Sequence, residues 1–282
     1  MKIRFGWAPV SAVLMGIVSS AFGADMPLKA PPPAAPPIFS WTGWYAGLNV
    51  GGAWGRSAPY TSTVLDPVGP NYFIAQSVAD INGTAYPVIK PTGFIGGGQA
   101  GYNWQAGKIV FGIESDFDYF SQRGSSLITR AYTALPATTF TVNSAVSTDW
   151  LWTLRPRVGF LASPNLLLYG TGGLAVTQLS GTFRFTDTFG AGQVAESGAF
   201  TKDVAGWTAG AGAEFLISPK WTVKAEYLYT SFGRTTVTSN NLVNAGGVPR
   251  PLNVFTHSLD LQSNIVRVGV NYHFGGPIVA KY

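Results

Sequence analysis

"KIVFGIESDFDYFSQ", residues 108–122, alternates with a period of two. Ile109, Phe111, Ile113, Phe117 and Tyr119 share one face, and Glu114, Asp116 and Asp118 share the other. Successive side chains of a β-strand point to opposite faces, so this stretch reads as a strand with one apolar side and one acidic side. Two questions follow: which side meets water, and what the acids are for.

Seven further segments carry the same period: about 43–55, 92–105, 149–162, 166–179, 204–217, 221–233 and 263–274. The segment at 166–179 starts apolar on both faces, which leaves its register open. Pro156 has no N–H for a ladder and predicts a bulge in the fourth segment. The connections alternate in length. "QAGK" (105–108), "SPN" (163–165) and "SPK" (218–220) are tight turns, whereas 56–91, 123–147, 181–202 and 234–261 are long and rich in Ser, Thr, Asn, Gly and Pro. The expected fold is all-β: a closed eight-stranded antiparallel up-and-down transmembrane β-barrel with three short periplasmic turns and four long extracellular loops.

A lipocalin-type barrel also alternates, but its apolar face lines the inside. Three features favour the membrane version. Aromatics gather at segment ends, and Trp44, Trp54, Trp104, Trp150, Trp152, Trp207, Trp221, Tyr272 and Phe274 form an expected interfacial girdle. The charged face is rich in glycine (Gly97, Gly101, Gly210, Gly212), which suits a narrow interior. Its charges are also nearly matched, Glu114, Asp116, Asp118, Glu214 and Glu226 against Arg155, Arg157, Lys224 and Arg267. An unpaired buried charge costs several kcal/mol, so matching belongs in a lumen and not on a wet exterior. Eight strands leave an interior just wide enough for side chains to fill. These residues, with His273, are therefore expected to form a plug of ion pairs, the acids of the opening stretch facing Arg155 and Arg157 on the next strand.

Only 11% of the 282 residues are charged, against about 25% in an ordinary soluble domain. There is no cysteine, and hence no disulfide framework or thiolate chemistry. Lys2 and Arg4, the apolar "VSAVLMGIV" (10–18) and "AFG" (21–23) read as a secretory signal peptide over 1–23, cut before Ala24 or Asp25. Losing it lowers the formal charge from +5 to +3, so the basicity is partly the leader's. Residues 24–40, including "PLKAPPPAAPP" (27–37), read as a Pro-rich periplasmic linker. The barrel is assigned to 41–275 and a tail to 276–282. After the leader no apolar run is long enough for a membrane helix. No basic run points to nucleic acid.

"FSWTGWYAGLNVGGAWG" (39–55), "GFIGGGQAGYNWQAG" (93–107), "VFGIESDFDY" (110–119), "LYGTGGLAV" (168–176), "GAGAEF" (210–215), "WTVKAEYLY" (221–229) and "VRVGVNYHF" (266–274), with "DMPLKAPPP" behind the leader, carry a resemblance. The chain resembles the small outer-membrane immunogenic proteins of alphaproteobacteria, a porin-family group of outer-membrane β-barrels, over nearly its whole length. The resemblance implies an abundant, surface-exposed eight-stranded barrel in the cell outer membrane, with no catalytic residues. It implies outer-membrane lipid and lipopolysaccharide as surroundings, and the barrel assembly machinery as a partner in biogenesis. Such chains usually end on the last aromatic of the final strand, whereas here "GGPIVAKY" follows Phe274, so Phe274 or Tyr282 fills that position.

The leading functional expectation is a structural and surface-display role, anchoring loops whose ligand the sequence does not name. The alternative is a small diffusion pore for hydrophilic solutes, although open porins have 16–18 strands. For an enzyme the nearest candidates are His257 and Ser258, but adjacent strand residues point apart. Two histidines without cysteine give no metal site, and no cofactor is expected. "NGT" (82–84) reads as a turn, and "GFIGGGQAG" lies within a strand and opens no helix, so it is not a phosphate loop.

Overall fold

The computed structural model describes residues 39–68, 72–190 and 194–274. The signal peptide, nearly all of the linker, the tail and Tyr282 lie outside the described residues. Nine strands and one short helix form: β1 (Gly43–Arg56), β2 (Tyr60–Thr63), α1 (Ala75–Asn82), β3 (Thr92–Ala106), β4 (Ile109–Ala131), β5 (Thr139–Ser163), β6 (Leu166–Asp187), β7 (Val194–Ser218), β8 (Trp221–Ser239) and β9 (Phe255–His273). From β3 onward each strand pairs antiparallel with the next. β1 pairs with β3 on one side and β9 on the other, so the order of pairing returns to its start.

The sequence pattern predicts eight strands, and the described residues contain nine. The extra one, β2, pairs with β9 in the register β1 has already set: Arg56 faces Gln262 and Tyr60 faces Ser258. It prolongs the β1 ribbon past a break at 57–59 and adds no new position to the ring.

Two of the four predicted long loops are mostly strand, and a third is nearly half strand. β4 runs to Ala131 and β5 begins at Thr139, inside the predicted loop 123–147. β6 and β7 likewise extend into 181–202, and β8 and β9 into 234–261. The physical reason is a swap of face chemistry, at constant parity on β4 and β6 and across a one-residue register shift on β5 and β8. Between Ile109 and Tyr119 the outer face of β4 is apolar and the inner face acidic; above that, Phe120 and Ile128 point inward while Ser121, Arg123 and Thr129 point outward. β5 does the same with Phe140 and Val142 inside and Thr141 and Asn143 outside. On β6, Phe183 and Phe185 are inside, with Thr182 and Arg184 outside. A search for apolar outer faces ends at the swap, although the alternation continues.

Side chains fill the ring at every level. At the end with the tight turns, fully buried Trp41 packs with Phe39, Val110, Leu161, Leu167 and Tyr169. Its Nε1–H donates to the Pro164 carbonyl (3.3 Å) and its backbone N–H to Gln105 Oε1 (2.9 Å). The charged layer lies above it. Higher again, Ile95, Phe120, Leu151, Leu179, Phe183, Leu228, Leu259 and Ile265 form an apolar core. The far end is closed by Phe73 and Ile81, from the 57–91 connection, packed with Phe140, Phe185, Leu242 and Phe255. α1 is fastened there by Asp80, which accepts from the Thr133 N–H and Oγ1–H, both at 2.7 Å. This end is therefore a folded cap.

Smaller points follow the same logic. Gly107 sits at φ +61 in the β3–β4 turn, where an L side chain is strained. A side chain at Gly97 or Gly101 would run into Asp118 or Tyr45, so these positions keep the lumen wide enough for its charges. Pro156 makes no bulge, correcting the expectation. The β5–β6 register is unchanged across it (Leu154 with Leu174, Arg157 with Thr171), and the shifts fall at 148–151 and 161–163 instead. In the segment at 166–179, Leu167 and Tyr169 face in and Leu168 and Leu174 face out. β7–β8 pairing stops at Gly206–Phe232, and the two chains next meet at the Ala195–Val243 bridge, leaving a seam in the wall of the cap.

If the cap is a packed core, Phe185→Ala is expected to cost about 3–5 kcal/mol there. Limited proteolysis in detergent should then cut faster within 120–147 and 180–202, while heat-modifiable gel mobility persists. Unchanged cleavage would mean that the cap core does not hold these strands.

Candidate functional site

The alternating register carries Glu114, Asp116 and Asp118 on β4, Arg155 and Arg157 on β5, Glu214 on β7, Lys224 and Glu226 on β8, and Arg267 on β9 into one layer. All nine are buried. Arg155 Nη2 donates to Glu114 Oε1 (2.8 Å) and Asp116 Oδ2 (2.6 Å), and its Nη1 to Glu226 Oε1 (3.2 Å). Arg267 donates through Nε to Glu226 Oε2 (2.8 Å), through Nη1 to Asp118 Oδ2 (2.9 Å) and through Nη2 to Asp116 Oδ2 (3.0 Å). Lys224 Nζ donates to Glu114 Oε1 (2.8 Å). Arg157 Nη1 donates to Glu214 Oε2 (3.1 Å) and lies 3.5 Å from Glu114 Oε2.

One expectation is corrected here. The arginines of β5 are not the sole partners of the β4 acids. The cation on Asp118 is Arg267, on β9, and Arg157 hydrogen-bonds Glu214 on β7. Adjacent-strand reasoning finds ladder neighbours, whereas in a narrow ring long side chains meet across the lumen.

Several members went unrecognised in the sequence. Tyr45 Oη–H donates to Glu114 Oε2 (2.8 Å) and Tyr169 Oη–H to Glu226 Oε1 (3.0 Å). Their rings sandwich the Arg157 guanidinium at 4.6 and 5.2 Å. Asn49 donates to Asp118 (2.9 Å), Thr153 to Asp116 (2.9 Å), and Asn271 and Thr222 to Glu214 (2.7 and 2.6 Å). His273, which the sequence did single out, lies 3.4 Å from Glu214 and stacks on Tyr45. Inward parity marks all of them; a scan for charges alone passes over all but His273.

A second buried set lies in the cap. His257 Nε2 is 3.1 Å from Glu196 and its Nδ1 2.9 Å from Thr61 Oγ1, with Ser239 also bonded to Glu196. The ring stacks on Phe183 at 4.7 Å. The register turns Ser258 to the opposite face, so His257 and Ser258 form no nucleophile–base pair. Nearby, Asp187 accepts from Tyr72 Oη (2.7 Å), Tyr132 Oη (3.1 Å) and the Phe189 N–H (3.1 Å). Burial pushes the Asp187 carboxyl above its ordinary value, although those hydrogen bonds pull it down.

On the outside, the expected aromatics form two rows. Trp44, Trp104, Trp221, Tyr272 and Phe274 lie at the turn end, with Trp44 and Trp104 both packed on Tyr102 and Trp221 and Phe274 both packed on Tyr272. Trp54, Trp150 and Trp207 lie at the swap, where Trp150 stacks on Phe117 and Trp207 packs on Tyr229. Trp152 sits deeper than its row, opposite Phe117, with Nε1–H donating to Ser115 Oγ (3.1 Å). Between the rows lie exposed Leu48, Phe111, Phe117, Val158, Val266 and Val268. A family model described as the outer membrane protein beta-barrel domain matches residues 29–274.

The chain belongs to this family.

It is similar to the 31 kDa outer-membrane immunogenic protein of Brucella melitensis, at 35% identity over 94% of this chain and 98% of the relative. It is also similar to the 25 kDa outer-membrane immunogenic protein of Brucella abortus, at 30% identity over 94% and 96%. Among solved structures, the outer membrane protein OprG from Pseudomonas aeruginosa shares 10% identity over 82% of this chain and 97% of that one, with a TM-score of 0.39. The protein is thus an outer-membrane β-barrel protein of a Gram-negative type, and the apolar belt between the aromatic rows meets lipid.

Two outcomes follow. Arg267→Met strands buried carboxylates and is expected to cost about 3–5 kcal/mol. This is read as a lowered urea midpoint in lipid bilayers, whereas Arg184→Gln on the outer surface leaves the midpoint in place. A carboxyl raised in the folded state holds its proton more tightly folded than unfolded. Asp187 therefore adds stability to the cap at low pH, and that increment is lost as pH rises from about 4, the unfolded value, through the folded one. Hydrogen exchange at 132 and 188–189, corrected for intrinsic rates, should slow on acidification in the wild type but not in Asp187→Asn.

Proposed function

We propose that the protein is a structural anchor of the outer membrane that displays a folded cap at the cell surface, with its tight turns in the periplasm. The observation that carries this reading is the swap of face chemistry. At the belt the ring is apolar outside and charged inside; beyond the Trp54–Trp150–Trp207 row it is polar outside and apolar inside. The first arrangement suits lipid and the second suits water. Among the described residues, water-adapted structure extends from one end only, because the other end holds tight turns and the Trp41 plug. Relatives named as immunogenic agree with exposure of such a cap. The partners in this reading are outer-membrane lipid and lipopolysaccharide, and the assembly machinery. The terminal aromatic offered to that machinery is Phe274, 62% exposed directly after β9.

The diffusion-pore reading has less support. Each level of the ring is filled, by Trp41 at the turn end, the ion pairs in the belt, and apolar residues above. The packed, hydrogen-bonded network is the better fit to a structural role than to a reactive site or a water-filled passage.

The absence of native cysteine makes single-cysteine labelling direct. In intact cells, Val248→Cys is expected to react with a membrane-impermeant maleimide and Lys108→Cys only after the envelope is permeabilised. The reverse pattern would invert the orientation. In planar bilayers the wild type should show no steady conductance. Steady channels that change size in Arg157→Gln would replace the anchor reading with the pore.

A further inference from the structure

At the edge of the belt, one side of the barrel carries an unusual pair. Gly55 N–H donates to the Pro91 carbonyl (2.8 Å), and Ser57 and Ile89 exchange both backbone hydrogen bonds (3.0 and 2.9 Å). Arg56 and Lys90 therefore stand directly opposite each other on the outer face, in the non-hydrogen-bonded position where cross-strand side chains are closest. Like charges so placed repel. Among the described residues neither has a hydrogen bond or ion pair that offsets this. Asp260, two positions along β9 from the residue facing Arg56, accepts instead from the Ala58 N–H at 2.7 Å. A third cation, Arg123, faces Thr92 from β4 and reaches Asp149 only at 4.0 Å.

The pair borders a cleft of about 560 Å³ lined also by Trp54, Val88, Pro91 and Thr92. Its lining is layered, with the Trp54 indole toward the belt, the two cations above it and Val88 on the cap side of them. Arg56 follows two positions after Trp54 of the upper aromatic row, so the cleft straddles the boundary between apolar and polar outer surface. At a similar height the other side of the ring carries Gln178 and Asp203.

We propose that this cleft binds a phosphorylated glycolipid of the outer leaflet. Arg56 and Lys90 take its phosphate and Trp54, on the belt side of them, the first part of an acyl chain. A phosphate between the two side chains turns their repulsion into two charge-assisted contacts, strengthened by the low dielectric at a lipid boundary. An ammonium and a guanidinium on neighbouring ribbons can approach one phosphate from two directions. The proposal rests on the outward orientation of the cap given above and adds the site and the ligand chemistry.

The test uses the full chain in nanodiscs of zwitterionic phospholipid, titrated with diphosphoryl lipid A and read by native mass spectrometry. Arg56→Gln/Lys90→Gln is expected to weaken binding about tenfold or more, the loss of roughly one charge-assisted contact or beyond. Arg184→Gln/Lys202→Gln, on the far side of the ring, should leave it within about twofold, and dephosphorylated lipid A should bind the wild type no better than it binds the Arg56→Gln/Lys90→Gln variant. Heat-modifiable mobility identifies any variant that has simply failed to fold; Arg56→Lys/Lys90→Arg, which keeps both charges, should retain binding. Equal affinity of wild type and Arg56→Gln/Lys90→Gln, or an equal loss in the far-side pair, overturns the site. Saturation by inorganic phosphate at the concentrations at which lipid A binds would overturn the lipid. Val248→Cys labelling reports orientation separately, so a cap labelled from outside with lipid A binding unaffected sinks this site and leaves the anchor reading standing.

Discussion

The pairing of β1 with β9, from Tyr45–His273 to Arg56–Gln262, is the contact on which everything else depends. In lipid an unpaired backbone edge costs several kcal/mol per group, so a sheet can cross only by closing on itself. Closure fixes the width of the interior, and that width decides what the interior holds. A ring this narrow has room for side chains and little else. Charges placed inside cannot be solvated by bulk water and must find one another. Arg267 hydrogen-bonds three carboxylates, and Glu114 receives Arg155, Lys224 and the Tyr45 hydroxyl with Arg157 3.5 Å away, because the lumen offers these groups one another and little else. The glycines facing them belong to the same constraint, since a side chain at Gly97 would occupy the place of Asp118.

The same ring stands in two solvents. Where lipid surrounds it, hydrophobic burial occurs at the outer surface, and the interior is held by polar contacts whose value is geometric specificity as much as energy. Above the Trp54–Trp150–Trp207 row, water surrounds it, and the ordinary rule of an apolar inside returns. Parity is kept on β4, whereas on β5 and β8 a one-residue register shift at the boundary moves the inward face to the other parity. β4 carries Asp118 and Phe120 on the same inward face, two residues apart. The side chains register the boundary on all these strands, and the backbone registers it on β5 and β8.

This explains what the sequence disclosed and what it concealed. The belt was legible because Ile109 to Tyr119 alternate strongly and the charges on the inner face nearly balance. The cap was not, because "TFTVNSAV" at 139–146 alternates with the opposite sidedness and a loop-like composition. Membership of the charged layer could be read from parity, but its pairing could not. Asp118 and Arg267 lie 149 positions apart in the chain and on different strands, and only closure brings them to 2.9 Å. Tyr45 and Tyr169 were hidden by their neighbours, since in an aromatic-rich segment an inward tyrosine resembles one more girdle residue. Pro156 misled in the other direction, for a missing ladder donor did not require a shift in register.

The cap also has a consequence in time. Its core takes Phe73 and Ile81 from the first connection, Phe140 and Phe185 from the middle of the chain, and Phe255 from the last strand. These residues are together only when the final ribbon is in place beside the first. The shape of the cap therefore has no partial version: a chain halted at seven ribbons lacks Phe255, and with it one wall of the core that gives the cap its contour. The surface of the cap certifies a finished barrel beneath it.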